Sequence, residues 1–94
     1  MKDILNVSLT ADTWTEVTLA SAPIAQYAMW LRSPTAVLKF CYSSTNQDSK
    51  YCTIRAGGAW TDSLTSTIVD KKIWVNSSET TVLEVEMTLR GGSA

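Results

Sequence analysis

The residues that could do chemistry are few, and the sequence lacks the commonest of them: it contains no histidine. Without an imidazole the serine hydroxyls have no customary base, so a Ser-His-Asp type of acyl transfer lacks its central member. Glu84 and Glu86 are two residues apart, which on a strand puts both carboxylates on one face. From there an acid and a base could work in one cleft, although the outward polar face of a half-exposed strand accounts for the same pattern. Cys41 and Cys52 are the two thiols, and the carboxylates are scattered, so no metal-ligand set assembles. Ala56-Gly57-Gly58-Ala59 follows a strand-like segment, but no helical periodicity follows it. It therefore lacks the helix N-terminus that a phosphate-cradling loop requires, and it reads as a turn. The expectation is a non-enzyme, with no catalytic residue, no metal and no cofactor.

The cysteines and tryptophans carry more geometry. Cys41-Tyr42-Ser43-Ser44 is mirrored by Ser49-Lys50-Tyr51-Cys52. A turn at Asn46-Gln47 would therefore place Tyr42 opposite Tyr51 and Cys41 opposite Cys52. Directly opposed residues have Cβ atoms about 4.5–5.5 Å apart, slightly beyond the ~3.5–4.5 Å of a disulfide. The expectation is a cross-strand thiol pair, adjacent in space whether reduced or bridged. The four tryptophans are Trp14, Trp30, Trp60 and Trp74. Each buries about 150–250 Å², more than one small core holds together with Phe40 and Met29. Trp30 lies opposite the row Tyr27, Met29 and Leu31, and Trp74 alternates with Ile73 and Val75, so these two point away from the inward rows. Trp30 and Trp74, with Tyr27 and Ile24 from the same apolar stretch as Trp30, are the candidates for a subunit interface. An exposed platform on which a sugar stacks would use the same residue types.

The elements that must position these residues are strands. Thirteen Thr and eleven Ser accompany many Val, Ile, Trp and Tyr, a composition that fits pleated, half-buried surfaces. Leu5, Val7 and Leu9 alternate with polar residues, as do Val17 and Leu19 with Glu16 and Thr18. The stretch 24–32 is apolar on both faces, which predicts a strand covered on both sides. Strands are expected over 36–42 and 51–55, with short ones at 60–64, 67–69 and 73–75. The clearest lies over 81–89, with Leu83, Val85, Met87 and Leu89 inward and Glu84, Glu86 and Thr88 outward. Ser33-Pro34-Thr35 supplies a turn. Eight or nine short strands at this spacing predict an all-β antiparallel sandwich, jelly-roll-like, with an immunoglobulin-like order as the alternative.

Ninety-four residues with a formal net charge of −1 make one domain, residues 1–94, near the lower size limit for folding alone. Help from partner subunits is expected. The longest run of Lys or Arg is the pair Lys71-Lys72, so phosphate-dominated binding to nucleic acid is not expected. No apolar run approaches the ~20 residues that cross a bilayer. The first residues lack the apolar stretch of a secretory signal, which leads to the expectation of a protein made in a cytoplasm.

Tyr51-Cys52-Thr53-Ile54-Arg55-Ala56-Gly57-Gly58, Ile73-Trp74-Val75-Asn76-Ser77 and Thr81-Val82-Leu83-Glu84-Val85, with the opening Ala11 to Leu19, resemble small virion proteins of tailed bacteriophages. The likeness is chiefly to capsid decoration, or cement, proteins, and it is a loose pattern of strands and turns over most of the chain. It implies a jelly-roll or similar sandwich on the outside of a capsid, usually a homotrimer, whose partners are itself and the major capsid protein. The alternative is a carbohydrate- or receptor-binding module of a phage fibre or tail tip.

Overall fold

The computed structural model describes residues 2–19, 24–47, 49–63 and 71–89. Among them are eight strands: β1 (Lys2–Leu9), β2 (Thr15–Thr18), β3 (Ile24–Leu31), β4 (Leu38–Cys41), β5 (Cys52–Ile54), β6 (Ala59–Ser63), β7 (Lys72–Ser77) and β8 (Thr81–Leu89). One short 3-10 turn over Ser44–Asn46 completes the described elements. The strands form two four-stranded antiparallel sheets, with orders β1-β8-β3-β6 and β2-β7-β4-β5. This is an all-β sandwich, as the composition and alternation predict. Successive strands alternate between the two sheets except β4 and β5, which are neighbours in one sheet. The short strand expected at 67–69 lies outside the described residues.

The period-two pattern decides which side chains meet between the sheets. From the first sheet come Leu9, Tyr27, Met29, Leu83, Val85 and Met87, and from the second Val17, Leu38, Phe40, Ile54, Ile73 and Val75. In β8 the polar residues Glu84, Glu86 and Thr88 are half-exposed on the other face, and the Leu89 side chain lies outside the described residues. Leu5 and Val7 of β1 pack against the margin of this core.

One end of the sandwich is tied by hydroxyls, which accounts for part of the Ser and Thr content. The Glu79 carboxylate accepts from Ser33 Oγ at 2.8 Å and Thr35 Oγ1 at 2.7 Å, joining the β7–β8 and β3–β4 loops. These two hydroxyls hold the Glu79 carboxyl below the usual glutamate range. Ser77, fully buried, donates to the Glu79 carbonyl at 2.7 Å. The Asp12 amide donates to the Ser77 carbonyl at 2.7 Å, which brings in the β1–β2 turn. Asp12 has φ 57°, a left-handed conformation that aspartate tolerates better than most side chains. In the β5–β6 turn, Gly57 has φ +77°, and the Gly58 amide donates to the Arg55 carbonyl at 2.8 Å. Ala56 to Ala59 is thus the turn expected of it.

Candidate interaction faces

Residues paired across strands share a face, so the registers assign the outward side chains. On the first sheet Ile4 and Ala28 lie on either side of Glu86, and Asn6 and Trp30 on either side of Glu84. Trp30 therefore points outward, away from the buried Tyr27 and Met29. Its indole Nε1 donates to Glu84 Oε1 at 2.7 Å, and Arg32 Nε donates to Glu84 Oε2 at 3.0 Å. These two donors, Trp30 first, hold the Glu84 carboxyl below the usual glutamate range. Lys2 pairs with Glu86 at 3.3 Å. Between these groups a cleft of about 120 Å³ is lined by Ile4, Trp30, Glu84, Val85 and Glu86. Ile4 is 67% exposed.

On the second sheet Trp74 is flanked by Glu16 of β2 and Cys41 of β4, opposite in direction to the buried Ile73 and Val75. Trp14 and Tyr51 precede the two edge strands, β2 and β5. Their rings meet edge-on with centroids 6.1 Å apart, and Lys39 Nζ lies 5.1 Å from the Tyr51 centroid. At the end of β4 and β5 an open groove of about 380 Å³ is lined by Tyr42, Asn46, Lys50, Tyr51 and both cysteines, among others. Tyr42 and Tyr51 are 48% and 42% exposed.

Tyr27 requires a correction to the interface expectation. It is 0% exposed and faces the core, so the folded subunit does not offer it to a partner. It was linked to Trp30 only by the apolar stretch they share, and the period of two sends them to opposite faces. The Ile24 side chain lies outside the described residues.

The thiol pair is also displaced. The β4–β5 register pairs Phe40 with Cys52 and Leu38 with Ile54, one residue away from the mirror-symmetric pairing. A shift of one turns side chains to opposite faces. Cys41 is consequently 3% exposed on the outward side of β4, while Cys52 is exposed beside Phe40, and both thiols are free. The cause is local. Ser43 Oγ accepts from the Thr45 amide, capping the 3-10 turn over Ser44–Asn46, and the Lys50 amide returns to the Asn46 carbonyl at 3.0 Å. The capped turn takes up residues on one side of the loop, so Asn46-Gln47 is not its midpoint.

Asp62 lies within β6, in the strand expected over 60–64, paired with Tyr27 on the inward side. Nearby, Trp60 packs on Phe40 with centroids 4.9 Å apart. The Tyr27 hydroxyl and Trp60 Nε1 are buried, and among the described residues neither meets hydrogen-bond geometry with a partner. Burial foremost, then the neighbouring Tyr42, raises Tyr27 far above the ordinary tyrosine range. Among the described residues no group of three or more His, Cys, Asp or Glu is placed to hold a metal ion.

The structure adds two functional candidates that the sequence reading passed over, Ile4 and Glu84 as the partner of Trp30. The alternation Lys2-Ile4-Asn6 marks Ile4 as outward. The Trp30–Glu84 bond depends on β3 lying beside β8, which no local pattern contains. Comparisons with protein-family models and with curated proteins find no match to this chain.

Proposed function

We propose that this chain is a structural virion protein of a tailed bacteriophage, a capsid decoration protein that associates with itself and binds the major capsid protein. The observation that carries the reading is the strand order, β1-β8-β3-β6 over β2-β7-β4-β5, with successive strands alternating between sheets. This order supports a jelly roll, the double Greek-key sandwich found among viral capsid domains. The outward tryptophans Trp30 and Trp74 support a protein whose work is done by its faces, and the composition of those faces fits protein contact.

The test is the chain's copy number in purified particles of the phage that encodes it. Quantitative mass spectrometry should find it in a fixed, high ratio to the coat protein, and particles made without it should lose DNA at lower temperature. Its absence from virions would reject the proposal. A few copies confined to the tail would transfer it to the second reading, a carbohydrate- or receptor-binding module of a fibre or tail tip. That reading draws on the open groove beside Tyr42 and Tyr51, where aromatic rings and the polar Asn46 and Lys50 stand together as in many sugar sites.

A further inference from the structure

The outward face of the first sheet has an internal balance that points to one occupant. Take the position of Val85 in the middle of β8 as a centre. A half-turn about the sheet normal there exchanges Ile4 with Trp30, Glu86 with Glu84, and the Lys2 corner with the Arg32 corner. Each carboxylate is already paired with the cation on its own side, Lys2 with Glu86 at 3.3 Å and Arg32 with Glu84 at 3.0 Å. The four charges sum to zero, so a copy of this face does not repel itself. Ile4 and Trp30 lie on one diagonal, the cations lie at the outer corners, and the two carboxylates between them are each neutralised by a cation of the same subunit.

We propose that this face is a two-fold contact with a second copy of the chain, in which Ile4 of each copy packs against Trp30 of the other. The proposal rests on the self-association in the reading above. It departs from the trimer that the resemblance implies. A two-fold axis lying between the faces, at right angles to the Ile4–Trp30 diagonal, seats both pairs at once and gives a closed, isologous contact. The 120 Å³ cleft between Ile4 and Trp30 holds about four times the ~30 Å³ share of one water, room for an aliphatic side chain. Glu84 fixes the Trp30 ring before contact, so little side-chain freedom remains to be lost on binding.

The size of the face sets the strength. Four strands at ~4.8 Å spacing and eight residues at ~3.3 Å rise make a face of about 19 by 26 Å. Two such faces bury roughly 1,000 Å², the lower end for a specific interface. The dimer should therefore dissociate on dilution.

Light scattering and sedimentation equilibrium of the full chain from micromolar to submillimolar concentration test this. The mass should rise from 10.3 kDa toward twice that value. Ile4→Asp should weaken association about tenfold or more, and so should Ala28→Arg, which crowds the same face beside Trp30. Both positions lie outside the core, and unchanged circular dichroism and unfolding midpoints will show that the variants fold. A mass that converges on three copies, or a dimer indifferent to both substitutions, would overturn the two-fold face and leave self-association standing. A wild-type chain that stays at one copy throughout would overturn both.

Discussion

The outward faces of the two sheets both carry tryptophan, but they are covered in different ways. On the second sheet Trp14 and Tyr51 approach from the two edges and meet, Lys39 caps the tyrosine, and Cys41 beside Trp74 is almost fully covered. The face supplies much of its own cover. On the first sheet Trp30 is held by a carboxylate, while Ile4 stands exposed beside an open cleft. One face stacks its aromatic rings on each other at its margin, and the other sets a pinned, half-buried tryptophan beside the exposed Ile4. An exposed aromatic count read from sequence would treat the faces alike. Cross-strand neighbours decide the matter, because a pinned ring beside a cleft is ready for a partner and a ring lying on another ring is already occupied.

The largest effect that would break this comparison comes from removing the core beneath both faces. Val85 is 0% exposed, and Val85→Asp should prevent soluble folding, because an unpaired buried charge costs several kcal/mol. Glu84→Val, one residue along and outward, should still fold, with an unfolding midpoint lowered far less than by Val85→Asp, while freeing Trp30. If the aspartate were tolerated and the valine were not, the two sides of β8 would be exchanged.

A smaller change isolates the core from the faces. Tyr27→Phe removes a buried hydroxyl that, among the described residues, has Tyr42 and Trp60 beside it but no partner in good hydrogen-bond geometry. Leaving such a group unpaired costs about 1–3 kcal/mol, so the variant should be as stable as the parent or more stable by about 1 kcal/mol in urea unfolding. A loss of stability beyond that size would reveal a partner for the hydroxyl, and Tyr27 would then be a structural anchor.

These residues also show how far the sequence was legible. Alternation in β8 and β2 read correctly because each has one wet and one dry face, and a period of two is then visible locally. The outward direction of Trp30 and Trp74 followed from the same rule. The β4–β5 register did not, because the Ser43 cap competes with the hairpin's symmetry and a capping hydroxyl resembles any other loop serine. The Trp30–Glu84 and Ser33–Glu79 bonds join residues 54 and 46 apart in sequence. They exist only through strand order, which periodicity does not encode.

The pH response should distinguish the pinned tryptophan. Glu84 has a lowered folded-state pKa, from Trp30 first and then Arg32. The ionised carboxylate therefore contributes stability that is fully present above the unfolded value, about 4.3, and is lost as pH falls through the lower folded value. The Trp30 indole N–H resonance should shift only below that ordinary glutamate range. In Glu84→Gln the acid shift should vanish. A Trp30 midpoint at or above the ordinary value would mean that the indole is not held by the carboxylate, and the contrast between the faces would lose its basis.

The smallest predicted effect concerns the thiols, and it tests the closed face directly. Cys52 is exposed at the start of the edge strand β5, while Cys41 is 3% exposed, with its Sγ 3.3 Å from the Ser43 carbonyl. Thiol reactivity requires access as well as the thiolate form. A bulky aromatic disulfide reagent should therefore modify one thiol per chain quickly and the other slowly, at the rate at which the structure around Cys41 opens. Mass mapping should place the fast site at Cys52. Trp74→Ala removes the side chain directly across from Cys41, so it should raise the slow rate several-fold and leave the fast one unchanged. Mild oxidation should join two chains through Cys52 and form no bridge within a chain, because the one-residue register shift puts the two sulfurs on opposite faces of the sheet. Equal rates for both thiols, or a ready intrachain bridge, would restore the symmetric hairpin and show that the second face is as open as the first.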